Sequence, residues 1–182
     1  EHATVSLGNL HEITGSGSGD STFGPRQISV SNSISGAHAV VWSPGVSGYA
    51  EYAKLQRFDG SGTEESSPLD LEYNMIDTHG FDQLIPEVTQ LSNGAFAVVS
   101  LERNADPNAN FPNGASGYHI NLHIFDSNGN RTAFLNVPND SLYYNSLPHI
   151  VDLGNSEFLV TWSTGQYFSH FGLEGVVAQK FD

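Results

Sequence analysis

Three short apolar runs, each flanked by turn residues, recur along the chain: Ala39-Val40-Val41-Trp42, Phe96-Ala97-Val98-Val99 and Phe158-Leu159-Val160-Thr161-Trp162. A Gly/Asn turn precedes each one, at Ser35-Gly36, Asn93-Gly94 and Gly154-Asn155. Before the turn stands a proline-led segment: Pro25-Arg26-Gln27-Ile28, Pro86-Glu87-Val88 and Pro148-His149-Ile150, the prolines 61 and 62 residues apart. After the apolar run comes a polar loop of variable length, then a segment ending in Phe58-Asp59, Phe125-Asp126 or Phe181-Asp182. The first two Phe-Asp pairs open glycine turns, Asp59-Gly60-Ser61-Gly62 and Asp126-Ser127-Asn128-Gly129. One further strand is expected between copies, at Leu69-Asp70-Leu71-Glu72-Tyr73 and Ala133-Phe134-Leu135-Asn136-Val137. An N-terminal equivalent lies near Ala3-Thr4-Val5-Ser6-Leu7 or His11-Glu12-Ile13.

Alternation such as Ile120/Leu122/Ile124 against Asn121/His123 has the period of two that marks a strand, and no stretch sustains the 3.6 period of a helix. The pattern predicts an all-β chain of three pseudo-repeats, each of about four antiparallel strands, with negligible helix. A propeller-like set of three sheets fits, with the N-terminal strand completing the last unit. A trefoil-like barrel is the alternative, since it also holds three four-stranded repeats. Residues 1–182 read as one domain, with the repeats at about 24–62, 85–130 and 147–182.

Composition sharpens this. Of 182 residues, 38% are hydrophobic, 14% are charged and 19 are glycine, as in a turn-rich β protein. Lys+Arg number 6 against 20 Asp+Glu, a net charge of −14. No basic footprint exists to neutralise phosphates, which argues against nucleic acid, and an anionic membrane surface is disfavoured likewise. So much carboxylate suits hard cations or a salty medium. The absence of cysteine excludes a thiolate nucleophile, a disulfide scaffold and a thiolate zinc site. No apolar run approaches the roughly 20 residues of a membrane helix. Glu1 begins nothing like a signal peptide, so the expectation is a mature or excised piece, a monomeric module of a larger chain.

Two segments carry oxygen ligands at a spacing that suits calcium. In the long loop after the second apolar run, Asn104, Asp106, Asn108 and Asn110 alternate, so that their side chains can converge on one ion. Asp126-Ser127-Asn128-Gly129-Asn130 repeats the Asp-x-Asn-x-Asn pattern and adds Asp126 and Asn128 as candidate ligands. Both segments also suit plain turns held by side-chain-to-backbone bonds. The eight histidines do not cluster in sequence, though His79, His149 and His170 stand in or beside loops near acidic residues. Glu87 reads as a solvated carboxylate. Tyr143, Tyr144 and Tyr167 lie outside the repeated positions, where aromatic side chains supply contact area for a peptide or sugar. Arg103, one of few cations, is placed to pair with an anionic ligand group.

The repeat pattern, carried by Leu91-Ser92-Asn93-Gly94-Ala95-Phe96, Gln56-Arg57-Phe58-Asp59 and Gln179-Lys180-Phe181-Asp182, resembles repeats of large RTX-type adhesins of Gram-negative bacteria. The second copy departs from it, with Ser100 where Trp42 and Trp162 stand and His123-Ile124 in place of Gln-(Arg/Lys). The resemblance implies a non-enzymatic, calcium-dependent peptide-binding module, secreted or displayed on the cell surface. Ca2+ in the long loop would hold the C-terminal carboxylate of a peptide or protein on another cell, with Arg103, Tyr143, Tyr144 and Tyr167 around it. The alternatives are calcium-dependent carbohydrate binding, or a glycan-active hydrolase or lyase with two carboxylates converging in a cleft.

Overall fold

The structure, a computed structural model, describes residues 26–31, 36–43, 53–71, 83–104, 117–137, 143–166 and 175–182. Among the described residues, the apolar runs and the segments around them form eleven strands in three sheets. The first sheet holds β1 (Arg26–Val30), β2 (His38–Ser43), β3 (Lys54–Phe58) and β4 (Leu69–Asp70). The second holds β5 (Gln83–Gln90), β6 (Phe96–Asn104), β7 (Gly117–Phe125) and β8 (Arg131–Val137). The third holds β9 (Tyr143–Gly154), β10 (Glu157–Gln166) and β11 (Gly175–Phe181). Every pairing is antiparallel between strands consecutive in the chain, so each repeat folds back on itself as a meander. No described strand pairs across repeats, which is the layout of propeller blades rather than of a trefoil barrel. The expected N-terminal strand lies outside the described residues.

The sheets stack face on face under one rule. The first sheet presents Ala39, Val41, Ala53, Leu55 and Leu71 to Val88, Phe96, Val98 and Phe125 of the second. The second sheet's opposite face, with Ala97, Val99, Leu101, Ile120 and Leu122, meets Phe158, Val160 and Trp162 of the third. Register places His38, Phe96 and Phe158 at equivalent positions, each opposite an aromatic: Phe58, Phe125 and Phe181. Of the aromatics that recur in the sequence, Phe96, Phe125, Phe158 and Trp162 fill the seams between sheets, while Trp42 and Phe58 are buried with Val40 on the other face of the first sheet. The second sheet is buried on both faces, so the polar members of its alternation, Asn121 and His123, are fully enclosed.

The prolines do not begin the strands of the second and third repeats. β5 and β9 run through Pro86 and Pro148, and the ladder slips beside each, between Leu84 and Glu87 and opposite Thr161–Ser163. The first repeat slips just after Pro25, between Arg26 and Ile28. Proline has no N–H for a ladder bond, so it sits in an edge strand at a bulge. β1, β5 and β9 are such edge strands, and β5 touches both of the others.

Candidate functional site

An edge strand leaves alternate N–H groups without a ladder partner, and in this stack side chains of the neighbouring sheet accept them. The Val88 amide donates to Ser29 Oγ at 3.3 Å, and the Ile150 amide donates to Glu87 Oε2 at 3.3 Å. Ser29, Glu87 and His149 occupy one repeat position, each the residue before that amide's counterpart, as the pairing of Val30, Val88 and Ile150 with Val40, Val98 and Val160 shows. The other Glu87 oxygen, Oε1, lies 2.7 Å from His149 Nδ1. Glu87 is thus held at both oxygens, three-quarters buried, while the His149 side chain remains 65% exposed. With Nδ1 donating to the carboxylate, Nε2 is the free ring nitrogen. Chemically this is an imidazole oriented by a carboxylate, a pairing of the kind that general acid–base chemistry uses.

The sequence marked His149 only as standing near acidic residues and read Glu87 as solvated. The signal that could have found them is their common place directly after the repeated prolines.

The structure places the other candidates as follows. Arg103 and Asn104 end β6, opposite Tyr118 and Gly117, and Tyr143 and Tyr144 open β9, opposite Gln166 and Gly165. Asp106, Asn108, Asn110, Tyr167, His79 and His170 lie outside the described residues. Asp126 and Asn128 sit in the β7–β8 turn, where Asp126 Oδ1 accepts the amides of Asn128 and Asn130 at 2.9 and 2.8 Å and Oδ2 accepts Asn130 Nδ2 at 2.9 Å. Asn128 enters this turn through its backbone. Asp59 does the same work in the first repeat, accepting from the Ser61 and Thr63 amides at 2.8 Å each. Hydrogen bonds from the Asn130 side chain and from turn amides hold the Asp126 carboxyl below the ordinary carboxylate value, and those from the Ser61 hydroxyl and turn amides do so for Asp59. Among the described residues, no group of three or more His, Cys, Asp or Glu side chains could hold a metal ion.

No protein-family model and no curated protein matches the sequence. Among solved structures, a protein from Bifidobacterium bifidum s17 assigned as an exo-β-1,3-galactanase matches at 11% identity and a TM-score of 0.47, over 77% of this chain and 47% of that one. Penicillium chrysogenum α-L-arabinanase complexed with arabinobiose matches at 9% identity and a TM-score of 0.37, over 86% of this chain and 62% of that one. This chain therefore spans about half the length of the first and less than two thirds of the second. Both carry the names of glycan-processing enzymes, and neither is named as an adhesin repeat. The expected resemblance to RTX-type adhesins is corrected accordingly, together with the calcium-dependent peptide-binding, adhesive and non-enzymatic readings that followed from it. The physical reason lies in the motif: its Phe and Trp positions fill buried clusters on and between the sheets and its Phe-Asp-x-x-Gly closes a hairpin, tasks common to many β folds.

Proposed function

We propose that this chain is a glycan-active domain in which Glu87 and His149 provide acid–base chemistry to a neutral sugar chain laid along the edge strands. The observation that carries the reading is the 2.7 Å contact between His149 Nδ1 and Glu87 Oε1, made across two sheets and with the imidazole open to solvent. Nε2 would accept the proton of an attacking water and return it to the departing glycosidic oxygen, with Glu87 stabilising the imidazolium in between. A net charge of −14 favours a neutral polymer over a uronate-rich one, which the field would repel.

The test is incubation with a panel of neutral and acidic glycans, galactan and arabinan among them, followed by reducing-end analysis. Turnover of a neutral glycan is expected, falling about 10²–10⁴-fold in His149→Ala. Glu87→Gln, which keeps the shape but removes the charge, should give a smaller loss. Binding without product, or a His149→Ala variant as active as the wild type, would overturn the assignment.

A further inference from the structure

Two hairpin turns of the second sheet carry the same pair of residues, Asn93-Gly94 between β5 and β6 and Asn128-Gly129 between β7 and β8. Their backbones agree. The Gly94 amide donates to Leu91 O at 2.9 Å and the Gly129 amide to Asp126 O at 3.0 Å, and both glycines are left-handed, at φ 82° and 87°. Both asparagines are exposed, but their side chains differ. Asn93 Oδ1 accepts the Ala95 amide at 3.0 Å, so this side chain closes its own turn. In the other turn the equivalent amide, that of Asn130, goes to Asp126 Oδ1 at 2.8 Å, because a carboxylate stands where the first turn has Leu91. The Asn128 side chain is left without a hydrogen bond among the described residues. A third such pair, Asn113-Gly114, lies outside the described residues.

Glycine has no side chain to shield its own nitrogen, so an Asn-Gly peptide can close on itself. The Gly129 nitrogen attacks Asn128 Cγ and loses its proton to solvent, and the side-chain nitrogen leaves as ammonia. Water then opens the cyclic imide at either carbonyl. One opening leaves an aspartate. The other leaves an isoaspartate, whose main chain runs through the former side chain and is longer by one methylene. Water is the only co-reactant.

We infer that Asn128 is a site of spontaneous deamidation, and that its isoaspartyl product loosens the seam between the first and second sheets. Asp126 leaves the Asn128 side chain free to turn onto Gly129, whereas Asn93 must first give up its bond to Ala95. The consequence follows from what crosses Gly129. Arg57 of the first sheet donates through Nη2 to Ser127 O at 2.6 Å and lies 5.5 Å over the Phe96 ring. Its guanidinium passes so close that a Cβ on Gly129 would stand 2.6 Å from Nη1. A main chain lengthened between positions 128 and 129 pushes Gly129 out of this fit and pulls the turn amides off Asp126. In the first sheet's turn Ser61 holds the place of Asn128, and it has no amide to lose: its hydroxyl donates to Asp59 Oδ1 at 2.7 Å. The inference goes beyond the glycan reading and does not depend on it.

Ageing the intact chain in mildly alkaline buffer, followed by peptide mapping by mass spectrometry, tests it. Asn128 should convert about 2- to 10-fold faster than Asn93, the factor by which one net hydrogen bond withholds a side chain. Isoaspartate should appear among the products at position 128. In urea the two rates should converge, because the fold makes the difference between them. The melting temperature of the aged protein should fall, whereas Asn128→Ser, aged alike, should keep its own. The inference is overturned if Asn128 stays intact or converts no faster than Asn93 in the folded protein. A rate gap that persists in urea, or an aged Asn128→Ser that loses as much melting temperature as the wild type, would overturn it equally.

Discussion

His123 is the residue on which the packing acts most strongly. It is fully buried between the first two sheets, its ring 4.9 Å edge-on from Phe134 and 6.4 Å stacked on Phe125, and neither ring nitrogen has a hydrogen-bond partner among the described residues. Desolvation, aided by the charge of Arg131, lowers its pKa from 6.5 to about 4. The folded protein therefore keeps the ring neutral while the unfolded chain takes up a proton below pH 6.5. Stability from this group is fully present above that value and is lost as the pH falls toward 4, on the order of 3 kcal/mol in all. Urea titrations across this window should show the loss, and His123→Leu should flatten it. A slope unchanged in the variant would place its origin elsewhere.

At the scale of the element, the hairpin turns explain why Asp and Gly recur after Phe. One carboxylate accepts two backbone amides of its turn, and the glycine takes the left-handed conformation at φ 87° in the second repeat. Gly129 has a further duty, since Arg57 crosses it. Gly129→Ala should cost about 1–2 kcal/mol from the backbone alone and more from displacing Arg57. Gly154→Ala is the control: φ is 83° there too, but nothing lies within 4 Å of its added methyl. Melting curves should rank Gly129→Ala below Gly154→Ala, and Arg57→Ala should close the gap between them. In the seams, Phe125→Ala should cost about 3–5 kcal/mol, as for any buried aromatic.

Across the whole molecule, the stack brings together what no single repeat contains. Glu87 belongs to the second sheet and His149 to the third, and they meet because each edge strand must satisfy its unpaired amides on a neighbour. The same molecule carries a charge of −14, so self-repulsion opposes the compact state. Raising the salt from about 0.02 to 0.2 M shortens the screening length severalfold and should raise the melting temperature. A melting temperature that falls with salt would mean that ion pairs such as Lys54–Asp70 and Arg57–Glu65 outweigh the repulsion.

The sequence by itself determined the strands, the turns and the threefold repetition, because these rest on contacts local to each meander. Period-two alternation, Gly at positive φ and Asp closing its own turn are all settled within a few residues. Only the tertiary structure decided that the polar face of the second sheet is buried, that Pro86 and Pro148 sit at bulges inside their strands, and that Glu87 reaches His149 62 residues away. Each depends on which sheet lies against which. Packing between repeats couples residues far apart in the chain, and alternation within one strand cannot tell water from a neighbouring sheet.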